Sequence, residues 1–546
     1  MNVVAAAANI LWIGASLAER QRFRAALRDP LAAQHSRLAS CLERNRDTAI
    51  GRELGFARIL FEGKEGPGLV EAFRARVPLM AYQDLEPFIR RIRAGEPGVL
   101  TRDAVERLTP SSGSATARKL LPFTRHLQGE FGRAVDAWIA DLHLVHPSAK
   151  RGRSYWSISP AIAQDRTGVV PIGFDEDSAY LGAARRALAR AVVVAPDGVT
   201  QVTDPAAFRY VSLVFLVGAG DLRLISVWHP SFLTRLLDAL PEWIGTIADD
   251  IAAGTLSPPA HVPPAVLAAL RARLRPAPER ARALRRLANL DPSRLWPRLA
   301  VVSCWQDGPA RPHADHLAGL LPGVCLQGKG LIATEGIVSI PFDGLHPLAV
   351  RSHFLEFLDA DDRSHLAHEL EAGKQYQVVL TTGGGLYRYR LGDRIEVDGW
   401  IKRTPSIRFV GKDDCVSDLF GEKLTDRFVA QVLRTLFEGR PTPRFAMVAP
   451  VALPGGLSYT LFVETDVPLP GLESAFEREL RKNLHYAWCV DMRQLLPGRV
   501  VRTRRGADRA YVDACVARGQ RLGDIKPASF SSDQGWLPIL TDHGFQ

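Results

Sequence analysis

The sequence is poor in cysteine and lacks a long uninterrupted hydrophobic run. Its 546 residues include six cysteines and no C-x-x-C pair, so we expect neither a zinc site nor a secreted disulfide framework. The longest apolar run, Val3 to Ala18, is interrupted by Asn9 and Ser16 and is shorter than the ~20 residues of a membrane-spanning helix. No basic stretch precedes it, unlike in a signal peptide. We therefore expect a helix that packs on the body of a cytoplasmic protein with no membrane partner.

Lysine is also scarce, although the chain is basic. Only ten of the 69 basic residues are Lys, and 59 acidic residues leave a net charge of +10. The Arg residues are scattered through helical segments such as Ala265–Leu287 without interleaved aromatic residues. This pattern is typical of a solvated helix face rather than a nucleic-acid groove, so no nucleic-acid partner is expected. Apolar residues make up 46% and charged residues 23%, which excludes a disordered or fibrous chain.

Strand and helix signals alternate along the chain, which predicts an α/β fold with β-sheets flanked by helices. Strands are predicted at Val192–Ala195, Tyr210–Val217, Leu222–Trp228, Leu299–Ser303, Tyr376–Leu380, Leu386–Tyr389 and Ile407–Val410. After Lys412 the pattern restarts, with a helix at Asp426–Leu436, a strand at Ser458–Glu464 and a helix at Leu472–Tyr486. We therefore predict a large N-terminal domain, residues 1–411, and a small C-terminal lid domain, residues 412–546.

The first candidate site is a loop of small, hydroxyl-bearing residues that ends in a lysine. It runs from Ser111 to Lys119 with the sequence SSGSATARK. Hydroxyl and backbone N–H groups can surround the oxygens of a triphosphate, and the ammonium offsets their charge. The loop lacks the G-x-x-x-x-G-K-[ST] pattern, which disfavours a P-loop NTPase. A flexible surface loop is the alternative that its composition leaves open.

Two more glycine-containing segments, Leu326–Gly336 and Gly383–Asp393, carry acidic residues. Thr334 and Glu335 follow an apolar stretch, where the hydroxyl can contact a phosphate. The carboxylate can hold Mg²⁺, which usually shares one or two carboxylates with substrate phosphates. Asp393 follows the glycines at Gly383–Gly385, and its carboxylate can accept hydrogen bonds from a ribose diol. Taken alone, the two segments are better explained by a strand end with an exposed Glu and by a hairpin with a capping Asp.

Two weaker segments follow, Arg408–Asp414 with Gly421–Lys423, and Leu522–Pro527. Five of the ten lysines fall within the five segments: Lys119, Lys329, Lys412, Lys423 and Lys526. The combination, in this order, resembles the adenylate-forming superfamily of acyl and aryl ligases, and more closely its GH3 branch of acyl acid amido synthetases. Tyr155–Pro160, Ser226–Ser231 and Ser417–Lys423 resemble the bacterial GH3-like group. The resemblance spans nearly the whole chain.

The resemblance implies a role for each segment. Ser111, Ser112, Gly113, Ser114 and Thr116 would form the phosphate loop with Lys119, and Trp305 would lie in the adenine-binding turn. Thr334 would contact the α-phosphate, Glu335 would hold Mg²⁺, and Asp393 would bind the ribose with help from Lys412. Asp414 would be the hinge, and Lys526 would bridge the carboxylate and the α-phosphate. Tyr155, Trp156 and Trp228 are candidates for lining the acyl pocket.

The implied activity is that of an ATP- and Mg²⁺-dependent ligase. It would adenylate a small carboxylic acid and transfer the acyl group to an amino acid or another amine, with release of pyrophosphate and AMP. An acyl-CoA or acyl-carrier ligase shares the first step, and a nucleotide-binding homologue without turnover is the non-catalytic alternative. Two residues depart from the family pattern. Thr116 replaces a glycine and stiffens the phosphate loop, and Lys412 replaces an arginine and loses a fork-like double contact.

Overall fold

The computed structural model describes residues 2–541 apart from 66–67, 111–118, 157–168, 173–181, 288–290, 413–415, 418, 421, 493, 504, 519 and 521–524. The described residues divide into two compact units. The first contains most of the chain up to residue 409, and the second contains residues 392–394 and those from 410 onward. Each unit has its own hydrophobic core.

The helices of the described residues are α1 (Val3–Ala26), α2 (Pro30–Asn45), α3 (Ala49–Glu53), α4 (Phe56–Glu65), α5 (Leu69–Arg76), α6 (Tyr82–Arg93), α7 (Arg125–Val145), α8 (Gly182–Val192), α9 (Pro205–Gly218), α10 (Pro230–Ala253), α11 (Pro264–Arg271), α12 (Pro278–Arg285), α13 (Pro292–Leu295), α14 (Arg311–Leu320), α15 (Asp426–Phe437), α16 (Leu472–Leu480), α17 (Leu484–Asp491), α18 (Ala507–Ala517) and α19 (Leu537–Leu540). The strands are β1 (Arg107–Pro110), β2 (Leu120–Phe123), β3 (Arg153–Trp156), β4 (Leu222–Ser226), β5 (Val301–Cys304), β6 (Cys325–Gly328), β7 (Phe354–Leu358), β8 (Ser364–His365), β9 (Gln375–Thr381), β10 (Tyr389–Ile401), β11 (Thr404–Lys412), β12 (Val416–Ser417), β13 (Leu424–Thr425), β14 (Phe445–Leu453), β15 (Gly456–Glu464) and β16 (Leu496–Arg502).

A parallel sheet in the order β3–β4–β5–β6 lies in the first unit. Because its strands run in one direction, their carboxyl ends meet at one edge, which is where ligands bind in open α/β sheets. Successive residues of a strand point to opposite faces, and residues in register on neighbouring strands share a face. The strand register therefore decides which side chains gather at this edge.

Helix α9 contains Tyr210–Val217, which the sequence predicts as a strand, so that prediction is wrong. The carboxylate of Asp204 caps the helix by accepting hydrogen bonds from the N–H groups of Ala206 and Ala207, and Pro205 occupies the first helical position. Every residue from Tyr210 to Val217 is buried. The helix is therefore apolar all round and lacks the amphipathic period that distinguishes a helix from a buried strand.

Three other predicted elements differ from the structure. Leu386–Tyr389 is not a strand, since only its last residue, Tyr389, belongs to one, β10. Val192–Ala195 is not a strand, because α8 extends to Val192 and a single bridge joins Val193 to Ser154. The predicted helix Leu472–Tyr486 is divided into α16 and α17, since Asn483 caps a new helix with its side chain. Most of the remaining predicted strands are present with bounds shifted by a few residues.

Helix α1 is longer than the apolar run predicts, because it continues to Ala26. By length and composition it could cross a membrane, the single helix among the described residues of which this is true. One face nevertheless packs against α7 and β3. Asn9 donates to the carbonyl of Gly152, 3.0 Å away, and the Arg20 guanidinium lies 2.7 Å from the carboxylate of Asp141. These buried polar contacts tie the helix to the body of the first unit.

The second unit is built around the sheet β14–β15–β16, in which β14 and β15 are antiparallel and β15 and β16 are parallel. Helices α15, α16 and α17 contribute to the core on one face. Helices α18 and α19 contribute to the core on the other. A five-stranded sheet in the order β11–β10–β9–β7–β8 lies mostly in the first unit. Asp393 lies on its strand β10 and Lys412 on its strand β11.

Candidate active site

A row of four side chains crosses the carboxyl edge of the parallel sheet. Trp156 of β3 is in register with Ser226 of β4, Ser226 with Ser303 of β5, and Ser303 with Gln327 of β6. In-register residues of parallel strands share a face, so an indole, two hydroxyls and an amide lie side by side. Trp138 of α7 covers this row, since its indole N–H donates to the Gln327 amide oxygen at 2.9 Å.

Lys329 follows β6 directly and brings its amine into the same row. Its Nζ donates to Ser226 Oγ at 2.7 Å. The ammonium also lies 4.8 Å from the ring centre of Trp138 and 5.2 Å from that of Trp228, within cation–π range. Only 3% of the residue is exposed. Burial lowers the pKa of the Lys329 amine to about 7, because the charged form loses its hydration.

The indoles of Trp228 and Trp305 lie beside each other just beyond the ends of β4 and β5. Their ring centres are 5.5 Å apart. The backbone N–H of Trp305 donates to the backbone carbonyl of Trp228 at 2.8 Å. Both rings are half-buried. Trp156 packs 6.2 Å from Trp138 in the same region. We call the indoles of Trp138, Trp156, Trp228 and Trp305 the aromatic wall. It lies at the edge of the sheet, next to the buried amine of Lys329.

Tyr155 does not belong to this wall. It precedes Trp156 in β3 and so points to the opposite face of the sheet. Its side chain is fully buried. Of the three predicted acyl-pocket residues, the structure brings Trp156 and Trp228 to the same edge and assigns Tyr155 to the core.

Thr334 and Glu335 form the tip of a tight hairpin. Ile332 and Ile337 make an antiparallel bridge, and Ala333 and Gly336 exchange backbone hydrogen bonds of 3.0 and 3.3 Å. Both tip residues are half-buried. The turn holds a hydroxyl and a carboxylate next to each other, and the single carboxylate suits a cation that takes its other ligands from phosphate and water.

The glycine turn Gly383–Gly385 is connected to that hairpin through a buried charge cluster. Glu130 accepts hydrogen bonds from the N–H of Gly383 at 2.8 Å and from Nδ1 of His353 at 2.9 Å. The ring of His353 packs on Gly336, where an added Cβ would lie 3.0 Å away. Burial by itself raises the pKa of Glu130, but the two nearby histidines and these hydrogen bonds bring its pKa below the usual value. The ionised carboxylate thus fixes both backbone segments.

Asp393 and Lys412 are close together, as the sequence predicts for a shared site. The ammonium of Lys412 lies 3.4 Å from Oδ1 of Asp393, near the start of β10 and at the end of β11. Asp393 is 2% exposed, whereas the lysine is half-buried. At this point of the second unit, the pair places a hydrogen-bond acceptor next to a donor.

Lys526 is an exposed residue of the second unit and lies outside the helices and strands. Ile525 is buried in the core beneath α18 and α19. The hydroxyl of Tyr511 donates to the backbone carbonyl of Lys526 at 3.1 Å. The backbone at Lys526 is thus held by a hydrogen bond, and the residue is exposed.

Several predicted residues lie outside the described part of the chain. These are Ser111, Ser112, Gly113, Ser114 and Thr116 of the phosphate loop, together with the hinge residue Asp414. The loop connects β1 to β2, which pair as an antiparallel hairpin. Lys119 is described and half-buried, and the N–H of the next residue, Leu120, donates to the Tyr82 hydroxyl at 2.8 Å.

Comparison with known proteins decides the family. A sequence profile described as the GH3 family N-terminal domain matches residues 19–326, and one described as the GH3 family central domain matches residues 346–412. The chain belongs to the GH3 family. The resemblance noted in the sequence is confirmed.

Similar proteins agree with membership of the GH3 family. A probable indole-3-acetic acid-amido synthetase GH3.12 from Oryza sativa subsp. japonica is 27% identical over 438 residues, which cover 71% of this chain and 70% of the relative. The structure of the GH3.15 acyl acid amido synthetase matches with a TM-score of 0.77 at 19% identity and covers 94% of each chain. A 2-hydroxyisobutyryl-CoA ligase matches with a TM-score of 0.50 at 12% identity over 92% of this chain and 89% of that one. The expected α/β fold of adenylate-forming ligases is thereby confirmed.

Sequence reasoning overlooked the polar row at the sheet edge of this GH3 protein. Ser226 is the last residue of β4, Ser303 and Gln327 are the second-to-last residues of β5 and β6, and Lys329 stands two residues after Gln327. A polar residue at the end of an apolar run is a signal for the carboxyl edge of a parallel sheet. Whether these side chains come together, however, depends on the register of the strands. Ser226 and Ser303 are about 75 residues apart in sequence, and Ser303 and Gln327 are about 25 apart.

Proposed function

We propose that this GH3 protein is an ATP-dependent acid–amine ligase. A carboxylate oxygen of a small acid attacks the α-phosphorus of ATP and pyrophosphate leaves, giving an acyl-adenylate. The nitrogen of an amino acid or another amine then attacks the acyl carbon, and AMP leaves as an amide forms. Membership of the GH3 family is the observation that carries this proposal. The aromatic and polar edge of the parallel sheet supplies a suitable binding surface.

Each part of the nucleotide has proposed contacts. Ser111, Ser112, Gly113, Ser114, Thr116 and Lys119 bind the phosphates, Trp305 contacts the adenine, Thr334 contacts the α-phosphate, and Asp393 with Lys412 binds the ribose. The Asp393–Lys412 pair fits a diol, because a carboxylate accepts and an ammonium donates hydrogen bonds. The half-buried Trp305 offers an indole face of the size of a purine.

The residues present also fit a magnesium ion bound together with ATP. Glu335 at the hairpin tip supplies one oxygen ligand, and phosphate and water oxygens suffice for the rest. No group of three or more His, Cys, Asp or Glu side chains that could hold a metal ion is found among the described residues. When bound, the ion would offset charge on the phosphate oxygens.

Lys526 is proposed to be the catalytic lysine that bridges the acid carboxylate and the α-phosphate. Both reactants are anionic, so their repulsion is the main obstacle to the first step, and an ammonium between them lowers it. The fixed backbone and exposed side chain of Lys526 suit a group that enters and leaves a site. Rotation of the C-terminal domain, residues 412–546, about Asp414 would withdraw Lys526 after adenylation and admit the amine.

The acid is proposed to lie against Trp156 and Trp228 at the edge of the parallel sheet. Two indoles give a flat apolar surface that favours an aryl, indolyl or other hydrophobic acyl group. Tyr155 contributes only indirectly, since it supports β3 from the opposite face. We further propose a cytoplasmic enzyme that acts on small molecules without a nucleic-acid or membrane partner.

ATP–pyrophosphate exchange tests the first step. A screen of aryl, indolyl, fatty and keto acids should identify acids that support exchange, and its failure for all acids would reject the proposal. The second step is tested by adding either amino acids or CoA to the acyl-adenylate that forms. An amide product supports the acid–amine ligase, whereas a thioester product would instead support the acyl-CoA ligase.

A further inference from the structure

The ammonium of Lys329 has few partners for so deeply buried a charge. An ammonium has three N–H donors, and burial of a cation is costly unless a counter-charge or several acceptors replace its water. Within the described part of the chain, Lys329 Nζ has one hydrogen bond, to Ser226 Oγ, and the faces of Trp138 and Trp228. None of the ion pairs formed by described residues includes Lys329 or places a carboxylate beside it.

A second buried group in the same row is also incompletely bonded. Ser303 is fully buried, and its hydroxyl has no hydrogen-bond partner among the described residues. Ser303 is in register with Ser226, so the two hydroxyls and the amine share one face at the end of β4 and β5. Trp228, which covers the amine, is only half-buried. The buried amine and hydroxyls thus lie next to a partly exposed indole.

We propose that Lys329, Ser226 and Ser303 bind a carboxylate of a substrate, distinct from the carboxylate that is adenylated. This inference rests on the proposed function and narrows its substrate class. A carboxylate accepts several charge-assisted hydrogen bonds and supplies the missing counter-charge. Two sources have this chemistry: the far end of a dicarboxylic acyl acid, and the α-carboxylate of an amino acid acceptor.

The low pKa of the Lys329 amine agrees with such a site. At about 7 it leaves the amine only partly protonated near neutral pH. A bound carboxylate favours the ammonium form and raises the pKa of the amine again. Binding should therefore be accompanied by uptake of a proton, which calorimetry in buffers of different ionisation enthalpy detects.

The experiment compares the wild type with Lys329→Met, which keeps an unbranched apolar stem. Lys374→Met is the matched control, because Lys374 is exposed and pairs with the exposed Glu371 on the surface. In the first arm, ATP–pyrophosphate exchange is measured with hexanoate and hexanedioate, and with phenylacetate and 1,4-phenylenediacetate. If the site binds the acid, Lys329→Met raises KM for the diacids about tenfold or more and leaves the monoacids within twofold.

The second arm measures amide formation with an amino acid and with its decarboxylated amine, using an acid accepted by both proteins. If the site binds the acceptor, Lys329→Met raises KM for the amino acid about tenfold or more, and KM for the amine stays unchanged. Equal KM values in wild type and variant in both arms would overturn the inference while leaving the ligase intact.

If no acid supports exchange, the ligase proposal fails. Binding of hexanedioate and of an amino acid, followed through the fluorescence of the flanking tryptophans, then tests the site by itself, and equal affinities of the wild type and Lys329→Met for both ligands would overturn it.

Discussion

Lys329 places an amine where the surroundings disfavour its charge, and this has a consequence for stability. Its pKa of about 7 in the folded protein compares with an ordinary value of 10.5, and burial is the main cause. Below pH 7 the amine is protonated in both states and the full penalty applies. Between pH 7 and about 10.5 the unfolded chain binds more protons than the folded one, so stability attributable to this group rises with pH by up to about 1.4 kcal/mol per unit.

Lys329→Met should therefore stabilise the protein most at low pH. We expect the gain in free energy of unfolding to be largest at pH 6.5 and to shrink by pH 9.5, because the apolar side chain removes the cost of burying an ammonium. Urea denaturation at the two pH values measures it. Cys304 is the titratable neighbour, and burial raises its pKa to about 12, so it stays neutral over this range. An identical gain at both pH values would contradict the assignment.

Replacement of Lys526 tests the proposed catalytic charge. Lys526→Ala should lower the rate of acyl-adenylate formation by about 10²–10³-fold, since the repulsion between carboxylate and phosphate is no longer offset. Binding of ATP, measured by calorimetry, should change little. Lys482→Ala, on an exposed lysine of the same unit, is the control. Normal ATP–pyrophosphate exchange by Lys526→Ala would exclude this role.

At the scale of elements, the glycine turn between β9 and β10 shows how backbone shape positions the site. Gly385 has φ +94°, and a Cβ there would lie 2.6 Å from the Cβ of Leu100. Gly384 is closely packed as well, since a Cβ would lie 2.9 Å from Leu127. The turn is therefore closely packed in the first unit, and the hydrogen bond from the N–H of Gly383 to Glu130 holds its first residue in place.

Gly385→Ala should destabilise the protein by about 2–4 kcal/mol, because strain at positive φ adds to overlap with a rigid neighbour. Gly344→Ala separates the two causes: Gly344 has φ +81°, but an added methyl group would meet no atom of the described residues within 4 Å. That control should cost only about 1 kcal/mol. Denaturant titration measures both variants, and equal losses would show that the contact with Leu100 has no effect.

At the scale of the whole molecule, the two compact units and the proposed two-step reaction make a combined prediction. If rotation about Asp414 exchanges Lys526 for the amine, then Asp414→Pro should preserve ATP–pyrophosphate exchange and slow amide formation tenfold or more, because proline fixes one of the backbone dihedrals. Asp414→Ala is the control. Single-turnover measurements of each step separate them, and equal effects on both steps would reject the hinge.

The sequence by itself determined the family, the α/β class and the presence of most strands. Short β-branched runs bounded by glycine and proline specify strands locally, and ordered motifs such as Thr334-Glu335 and Asp393 specify the family without any knowledge of contacts. The proximity of Asp393 and Lys412 was likewise expected from the family resemblance.

Only the tertiary structure decided which secondary structure the buried apolar segment of the protein adopts and which side chains lie together at the site. Tyr210–Val217 has no period that separates a buried helix from a buried strand, so packing on all sides made it a helix. Trp156 and Tyr155 are neighbours in sequence, yet the pleat of β3 sends them to opposite faces. The site around Lys329 exists because parallel strands distant in sequence align at one edge, and register is a property of the assembled sheet.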